Sequence, residues 1–155
     1  MKKGILIIAL AVVAAACNNT NTAGTDTHST AAVTETQETG ENELFGKEWK
    51  LIALNGKAIT LDTTFNKEPL LVFDQEKGSI NGNGGCNNFM ATFKLTDTGG
   101  MEISQGGATL MACPNLELEG QFFEGLKQVK NYRITGDTLF LDNEKKEAIA
   151  TLAIK

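Results

Sequence analysis

The chain has three cysteines, Cys17, Cys86 and Cys113, and a single histidine, His28. A cysteine thiolate can act as a nucleophile, bind a metal ion, accept a lipid or form a disulfide. Nucleophilic catalysis needs a base beside the thiol, and no histidine follows His28 in the chain. A zinc site needs more ligands than two cysteines, and none cluster with Cys86 and Cys113. The residues therefore predict no catalytic site, no metal site, no cofactor and no enzymatic activity.

Residues 1–16 have the pattern of a secretory signal peptide. Two lysines precede an apolar run over residues 4–16, which is shorter than the about 20 residues that a membrane-spanning helix needs. The run ends in three alanines directly before Cys17, and this resembles the lipobox of bacterial lipoproteins. We therefore expect cleavage after residue 16 and acylation of the Cys17 sulfur. Cleavage that leaves Cys17 with a free thiol is the alternative.

Residues 17–43 are expected to be the lipidated cysteine and a disordered tether. Residues 18–43 contain eight threonines, five acidic side chains and no Lys, Arg or aromatic residue. Such a segment cannot bury enough apolar surface to offset the entropy lost on ordering. Glycosylation of the threonines is a lesser alternative. Lipid on Cys17 would anchor the protein to a membrane of the cell envelope, at the periplasmic face or at the cell surface.

Residues 44–155 are expected to form one domain, because every Phe, Trp and Tyr of the chain lies after residue 44. The net charge of −5 and the lack of a basic stripe argue against nucleic-acid binding. Short apolar runs separated by turn residues predict many short strands. The Asn55-Gly56 pair predicts a tight hairpin, and the period of two over residues 89–95 predicts a strand with one buried face.

The period changes to helical spacing over residues 118–129, and Glu117 and Glu119 complement the positive end of the predicted helix. Three further strands over residues 131–154 predict an antiparallel meander. The predicted fold class is α+β and mostly β, with a curled antiparallel sheet or open barrel of short strands packed on one helix.

The glycine-rich run at residues 82–85 is not followed by a helix or by Gly-Lys-Ser/Thr, which argues against a phosphate loop. A turn or bulge with positive φ angles is the prediction, and calcium binding is a weak alternative. If Cys86 and Cys113 pair, they close a loop of about 28 residues and stabilise the domain by about 3 to 4 kcal/mol. A redox-active pair is the alternative, although the spacing is not that of a C-x-x-C motif.

Two short motifs resemble those of the META domain family, which includes the HslJ-like bacterial envelope lipoproteins. The residues that carry the resemblance are Gly85, Cys86 and Asn87 in the first motif and Thr109, Met111, Ala112 and Cys113 in the second. A helix and a closing hairpin follow, so the resemblance spans residues 44–155. It implies a curled antiparallel sheet with one helix, a Cys86–Cys113 disulfide and an association with heat shock. The family often has Arg where this chain has Leu110.

These observations favour a membrane-tethered, non-enzymatic envelope lipoprotein that serves as a binding or stress-related module. Its expected partners are a membrane, reached through the lipid on Cys17, and a protein or apolar ligand. The alternative function is a thiol-disulfide redox protein that uses Cys86 and Cys113. A cleft lined by Phe and Met would favour the binding module.

Overall fold

The computed structural model describes residues 41–155, except residues 63, 65 and 66 and the side chains of Glu41 and Asn42. The predicted signal peptide, Cys17, His28 and most of the predicted tether lie outside the described residues. Within the described part of the chain, no helix is both long enough and apolar enough to cross a membrane.

The described residues form two helices and nine strands, and the predicted fold class is confirmed. The short first helix was not expected from the sequence. In chain order the elements are α1 (Glu41–Leu44), β1 (Glu48–Leu54), β2 (Lys57–Ala58), β3 (Leu70–Asp74), β4 (Ser79–Asn83), β5 (Asn88–Leu95), β6 (Met101–Ala108), α2 (Leu116–Leu126), β7 (Asn131–Thr135), β8 (Thr138–Asp142) and β9 (Ala148–Ile154).

The strands form one antiparallel sheet in the order β6-β5-β4-β3-β1-β9-β8-β7, with β2 paired only to β1. The sheet curls until its two outermost strands touch at one end. Gly100 forms a bridge with Asn131, and the Met101 amide donates to the Lys130 carbonyl oxygen at 3.0 Å. The sheet is therefore a half-barrel whose last gap is narrow at the start of β6 and β7.

Local chemistry explains the ends and faces of these elements. The predicted hairpin joins β1 to β2, and both central residues have positive φ, 50° at Asn55 and 73° at Gly56. Such angles match a type I′ turn, whose twist suits the strands on either side. Along β5 the alternate residues Phe89, Ala91 and Phe93 are buried, as the period of two predicts.

The concave side of the sheet is filled by apolar side chains from the strands and from α2. Trp49 is fully buried, and its ring N–H donates to the Leu44 carbonyl oxygen at 2.9 Å. Phe122 and Leu126 bring the apolar stripe of α2 into the same cluster. This burial compensates for the low helix propensity of the glycines in α2.

The two glycines of α2 have different surroundings. A Cβ placed on Gly125 would lie 2.7 Å from the Ile149 methyl carbon Cγ2, whereas a Cβ on Gly120 would meet nothing within 4 Å. Gly125 is buried and Gly120 is exposed. Gly125 therefore allows α2 to approach β9 closely, while Gly120 serves no packing purpose.

We predict opposite effects of alanine at these two positions. Gly125→Ala should lower the free energy of unfolding by about 1 to 3 kcal/mol, because the added methyl overpacks against Ile149. Gly120→Ala should raise it by about 1 kcal/mol through helix propensity alone. Urea denaturation followed by circular dichroism measures both, and equal effects of the same sign would contradict this account of the helix–sheet contact.

Candidate functional site

A disulfide joins Cys86, in the loop between β4 and β5, to Cys113, ahead of α2. The two Cα atoms are 5.8 Å apart, Cys86 is fully buried and Cys113 is half-buried. The pairing that the family resemblance implies is therefore present. The bond ties the start of α2 to the sheet across 27 positions of sequence.

Glu119 lies beside this disulfide, and the residue is 5% exposed. Its Oε2 accepts the backbone N–H of Cys86 at 3.1 Å and that of Asn87 at 2.6 Å. Its Oε1 accepts the Asn87 side-chain amide at 2.7 Å. Hydrogen bonds to an ionised group are stronger than neutral ones, and the first turn of a helix favours a negative charge. Three donors therefore offset the burial of this carboxylate.

The side chain of Asn87 connects the two family motifs. Its Oδ1 accepts the Thr109 hydroxyl at 2.8 Å and the Met111 backbone N–H at 2.7 Å. Its Nδ2 donates to Glu119 and to the Met111 carbonyl oxygen, the latter at 3.3 Å. Five of the seven motif residues thus form one network, namely the two cysteines, Asn87, Thr109 and Met111. Ala112 is exposed and has no evident role in it.

Two further buried asparagines hold the loop between β4 and β5. Asn83 Oδ1 accepts the Gly85 N–H at 2.7 Å, and Asn115 Oδ1 accepts the Asp62 N–H at 2.9 Å. Asn115 Nδ2 also donates to the Gly85 carbonyl oxygen at 3.5 Å. The loop is consequently held by a side chain from the end of β4 and by one from the N-terminus of α2.

The predicted positive φ in the glycine run occurs at one of its glycines. Gly85 has a φ of +105°, but Gly82 and Gly84 do not have positive φ. A Cβ on Gly84 would lie 2.6 Å from Glu119 Oε2, and one on Gly82 would lie 2.6 Å from the Leu70 carbonyl oxygen. These two glycines are required by close approach rather than by backbone conformation.

The sequence interpretation of Glu119 was incomplete. It was expected only to complement the helix dipole, together with Glu117, which is exposed. Glu119 precedes Phe122 by three positions and Leu126 by seven, so it lies on the apolar stripe of α2. A charged residue on that stripe was the available signal for a buried role. The partners of Asn83 and Asn115 left no comparable signal.

These hydrogen bonds indicate that the motif has a structural role. Each polar atom of the Glu119 and Asn87 side chains already has a partner within the network. Over the described residues, no group of three or more His, Cys, Asp or Glu side chains is arranged to hold a metal ion. The surfaces available to a ligand therefore lie beside the network and outside it.

One such surface is a cleft of about 580 Å³, here called the apolar cleft. Its lining residue Met90 is 62% exposed. Leu110 and Met111, which follow the lining residue Thr109, are 99% and 47% exposed. No charged residue occurs over residues 103–116. The lining residues are Asn81, Gly82, Asn88, Phe89, Met90, Gly107, Ala108 and Thr109.

A second cleft of about 490 Å³, here called the charged cleft, shares Asn88 with the first. The Lys50 ammonium binds Glu68 and, through this hydrogen bond and its charge, lowers the pKa of that carboxyl. Glu68 is therefore ionised at neutral pH. The lining residues are Lys67, Glu68, Leu70, Asn83, Asn88 and Lys155.

The profile of the META domain family matches residues 42–155, which contain the whole motif network. The chain belongs to the META domain family. The search of curated proteins gave no match.

Solved structures share the fold of this META domain. An NMR structure of a protein with 27% identity has a TM-score of 0.56 and covers 73% of this chain and 92% of its own. A crystal structure of a DUF4847 family protein from Bacteroides vulgatus ATCC 8482, with 15% identity, has a TM-score of 0.58 and covers 74% and 96%. An NMR structure of a protein from Burkholderia xenovorans, with 21% identity, has a TM-score of 0.56 and covers 74% and 85%.

We predict that Glu119→Gln destabilises the META domain by about 2 kcal/mol, because the new amide would point a buried donor at another donor. Turning the Asn87 amide to meet it would break the bonds to Thr109 and Met111. Glu117→Gln, on the exposed side of the same turn, is the matched control and should change stability by less than about 0.5 kcal/mol. Denaturant unfolding of both variants checks this, and equal losses would assign the effect to the helix dipole.

Proposed function

We propose that this protein is a lipid-anchored component of the bacterial cell envelope whose META domain binds a partner without catalysis. The observation that carries the proposal is the apolar cleft, which is lined by Phe89 and Met90 and flanked by the exposed Leu110 and Met111. Contiguous exposed apolar side chains rimmed by polar residues are typical of ligand-binding grooves and interaction sites.

The absence of charged residues beside the apolar cleft strengthens the case for a binding site. Acidic and basic residues make up 21% of the chain, yet residues 103–116 carry none. Edge strands are commonly protected from unwanted contacts by charged side chains. β6 ends one side of the sheet, and its second half is exposed but uncharged. A surface kept uncharged in this way is suited to a partner that replaces water there.

The proposed anchoring rests on the residues before the domain. The apolar run that ends directly before Cys17 supports export and acylation, and the acidic segment after Cys17 supports a spacer between membrane and domain. More than one acyl chain is needed for stable attachment to a bilayer, and lipoprotein processing supplies them.

We predict that the protein incorporates an alkyne analogue of palmitate through Cys17. Cells expressing the wild-type chain should yield a labelled band after click chemistry, whereas Cys17→Ala should yield none and should leave the membrane fraction. The Cys86→Ala/Cys113→Ala variant is the control for the other two cysteines and should retain the label. Persistent labelling of Cys17→Ala would contradict the anchor.

We predict that a photoreactive amino acid at position 90 cross-links to an envelope component in intact cells. The matched control is position 94 on the same strand β5, where Lys94 is also exposed but lies outside the apolar cleft. Cross-links at position 90 but not at position 94, measured by immunoblotting, are expected. Equal yields at both positions, or none at either, would contradict a binding role for the cleft.

A further inference from the structure

The apolar cleft and the charged cleft adjoin each other. Asn88 lines both, and the β4 residues Asn81 and Gly82 of the apolar cleft are followed directly by Asn83 of the charged cleft. A ligand that fills the first cleft with an apolar group therefore brings its next atoms to the second. The two volumes, about 580 Å³ and about 490 Å³, are each within the size range of small-ligand sites.

The charged cleft offers a cation that lacks a carboxylate partner. Glu68 is paired with Lys50, and Lys155 is paired with Glu48 at 3.2 Å. Within the described residues, Lys67 forms no ion pair, and its ammonium donates only to the Cys86 carbonyl oxygen at 3.2 Å. On a protein with a net charge of −5, this side of the charged cleft is complementary to an anion.

Side-chain amides separate the two clefts. Asn88 Oδ1 accepts the Asn83 amide at 2.8 Å, whereas among the described residues neither Asn88 Nδ2 nor the Asn81 side chain has a partner. These amides match the N–H and C=O groups of a peptide. An acyl chain in the same place would cover them without replacing the hydrogen bonds that water makes, which is unfavourable.

We propose that the two clefts together bind the carboxyl-terminal end of a partner polypeptide. Its last apolar side chain lies against Met90, its final peptide groups contact Asn81 and Asn88, and its terminal carboxylate contacts Lys67. This inference rests on the proposed binding function and names the ligand class of the same surface. Capture of a terminal carboxylate is a recurring mode of peptide recognition.

The test compares two fluorescein-labelled peptides, Ala-Ala-Val-Leu with a free carboxylate and the same peptide with a terminal carboxamide. The full chain is held in lipid nanodiscs, and binding is measured by fluorescence anisotropy. The acid should bind about tenfold more tightly than the amide, since a charge-assisted hydrogen bond is lost in the amide. This difference should shrink at high salt. Equal affinities of the two peptides, or no binding of either, would overturn the proposal.

Single substitutions identify the residues that are responsible for the preference for the acid peptide. Lys67→Met should abolish the preference for the acid, whereas Lys94→Met, which removes an exposed charge from β5 outside both clefts, should leave it unchanged. Met90→Ser should weaken both peptides to a similar extent. Loss of the preference in Lys94→Met as well would contradict a specific role of Lys67. Circular dichroism confirms that each variant is folded, and the acid–amide comparison on the unaltered chain stands without any variant.

Other occupants give other results. If hexanoate displaces the acid peptide at equal concentration, the ligand class is a simple acyl carboxylate and not a peptide end, and the proposal is overturned. Self-association that is blocked by Met90→Ser would assign the surface to a second copy of the chain and overturn it as well. If neither peptide binds while the cross-link at position 90 persists, only the proposed ligand class is wrong. If the cross-link also fails, the proposed function is wrong.

Discussion

The carboxylate of Glu119 is a negative charge in an interior position, and the arrangement around it depends on three donors from the loop between β4 and β5. The carboxylate accepts two backbone N–H groups and one side-chain amide, so it holds both the path of the loop and the rotamer of Asn87. Asn87 in turn holds Thr109 and Met111. Removal of any one partner would leave a polar group buried without a bond, and such a loss is more unfavourable than a typical hydrogen bond is favourable.

The disulfide and this carboxylate act on the same two segments in different ways. The Cys86–Cys113 bond stabilises the fold mainly by restricting the unfolded chain, by about 3 to 4 kcal/mol for a loop of this length. The Glu119 network acts on the folded chain, because its hydrogen bonds exist only when α2 has docked on the sheet. The disulfide holds the two segments near each other, and the hydrogen bonds of the Glu119 network determine their geometry. The absence of a side chain at Gly84 is what allows the carboxylate to reach the loop.

Stability and proposed function consequently use mostly different groups, although Thr109 belongs to the network and also lines the apolar cleft. The motif residues use their polar groups on one another, so the family motif explains why the domain folds rather than what it binds. The apolar cleft lies on β4, β5 and the end of β6, whereas the charged cleft is formed by the segment ahead of β3, the facing ends of β4 and β5, and Lys155. Asn83 and Asn88 belong to both regions, since Asn83 holds Gly85 and also donates to Asn88. A rigid loop therefore positions the boundary between the apolar cleft and the charged cleft.

Local patterns in the sequence were sufficient for most elements of this domain, with α1 as an exception. The period of two in β5, the helical spacing in α2 and the Asn55-Gly56 turn each depend on neighbours within a few positions, and each is present in the structure. The family motifs likewise pointed to both cysteines. The tertiary structure alone decided what depends on distant neighbours. Glu119 meets Cys86 across 33 positions, Gly125 faces Ile149, and the clefts form where separate strands meet. Periodicity reports which face of an element is buried, but it carries no information about which residue of another element lies opposite.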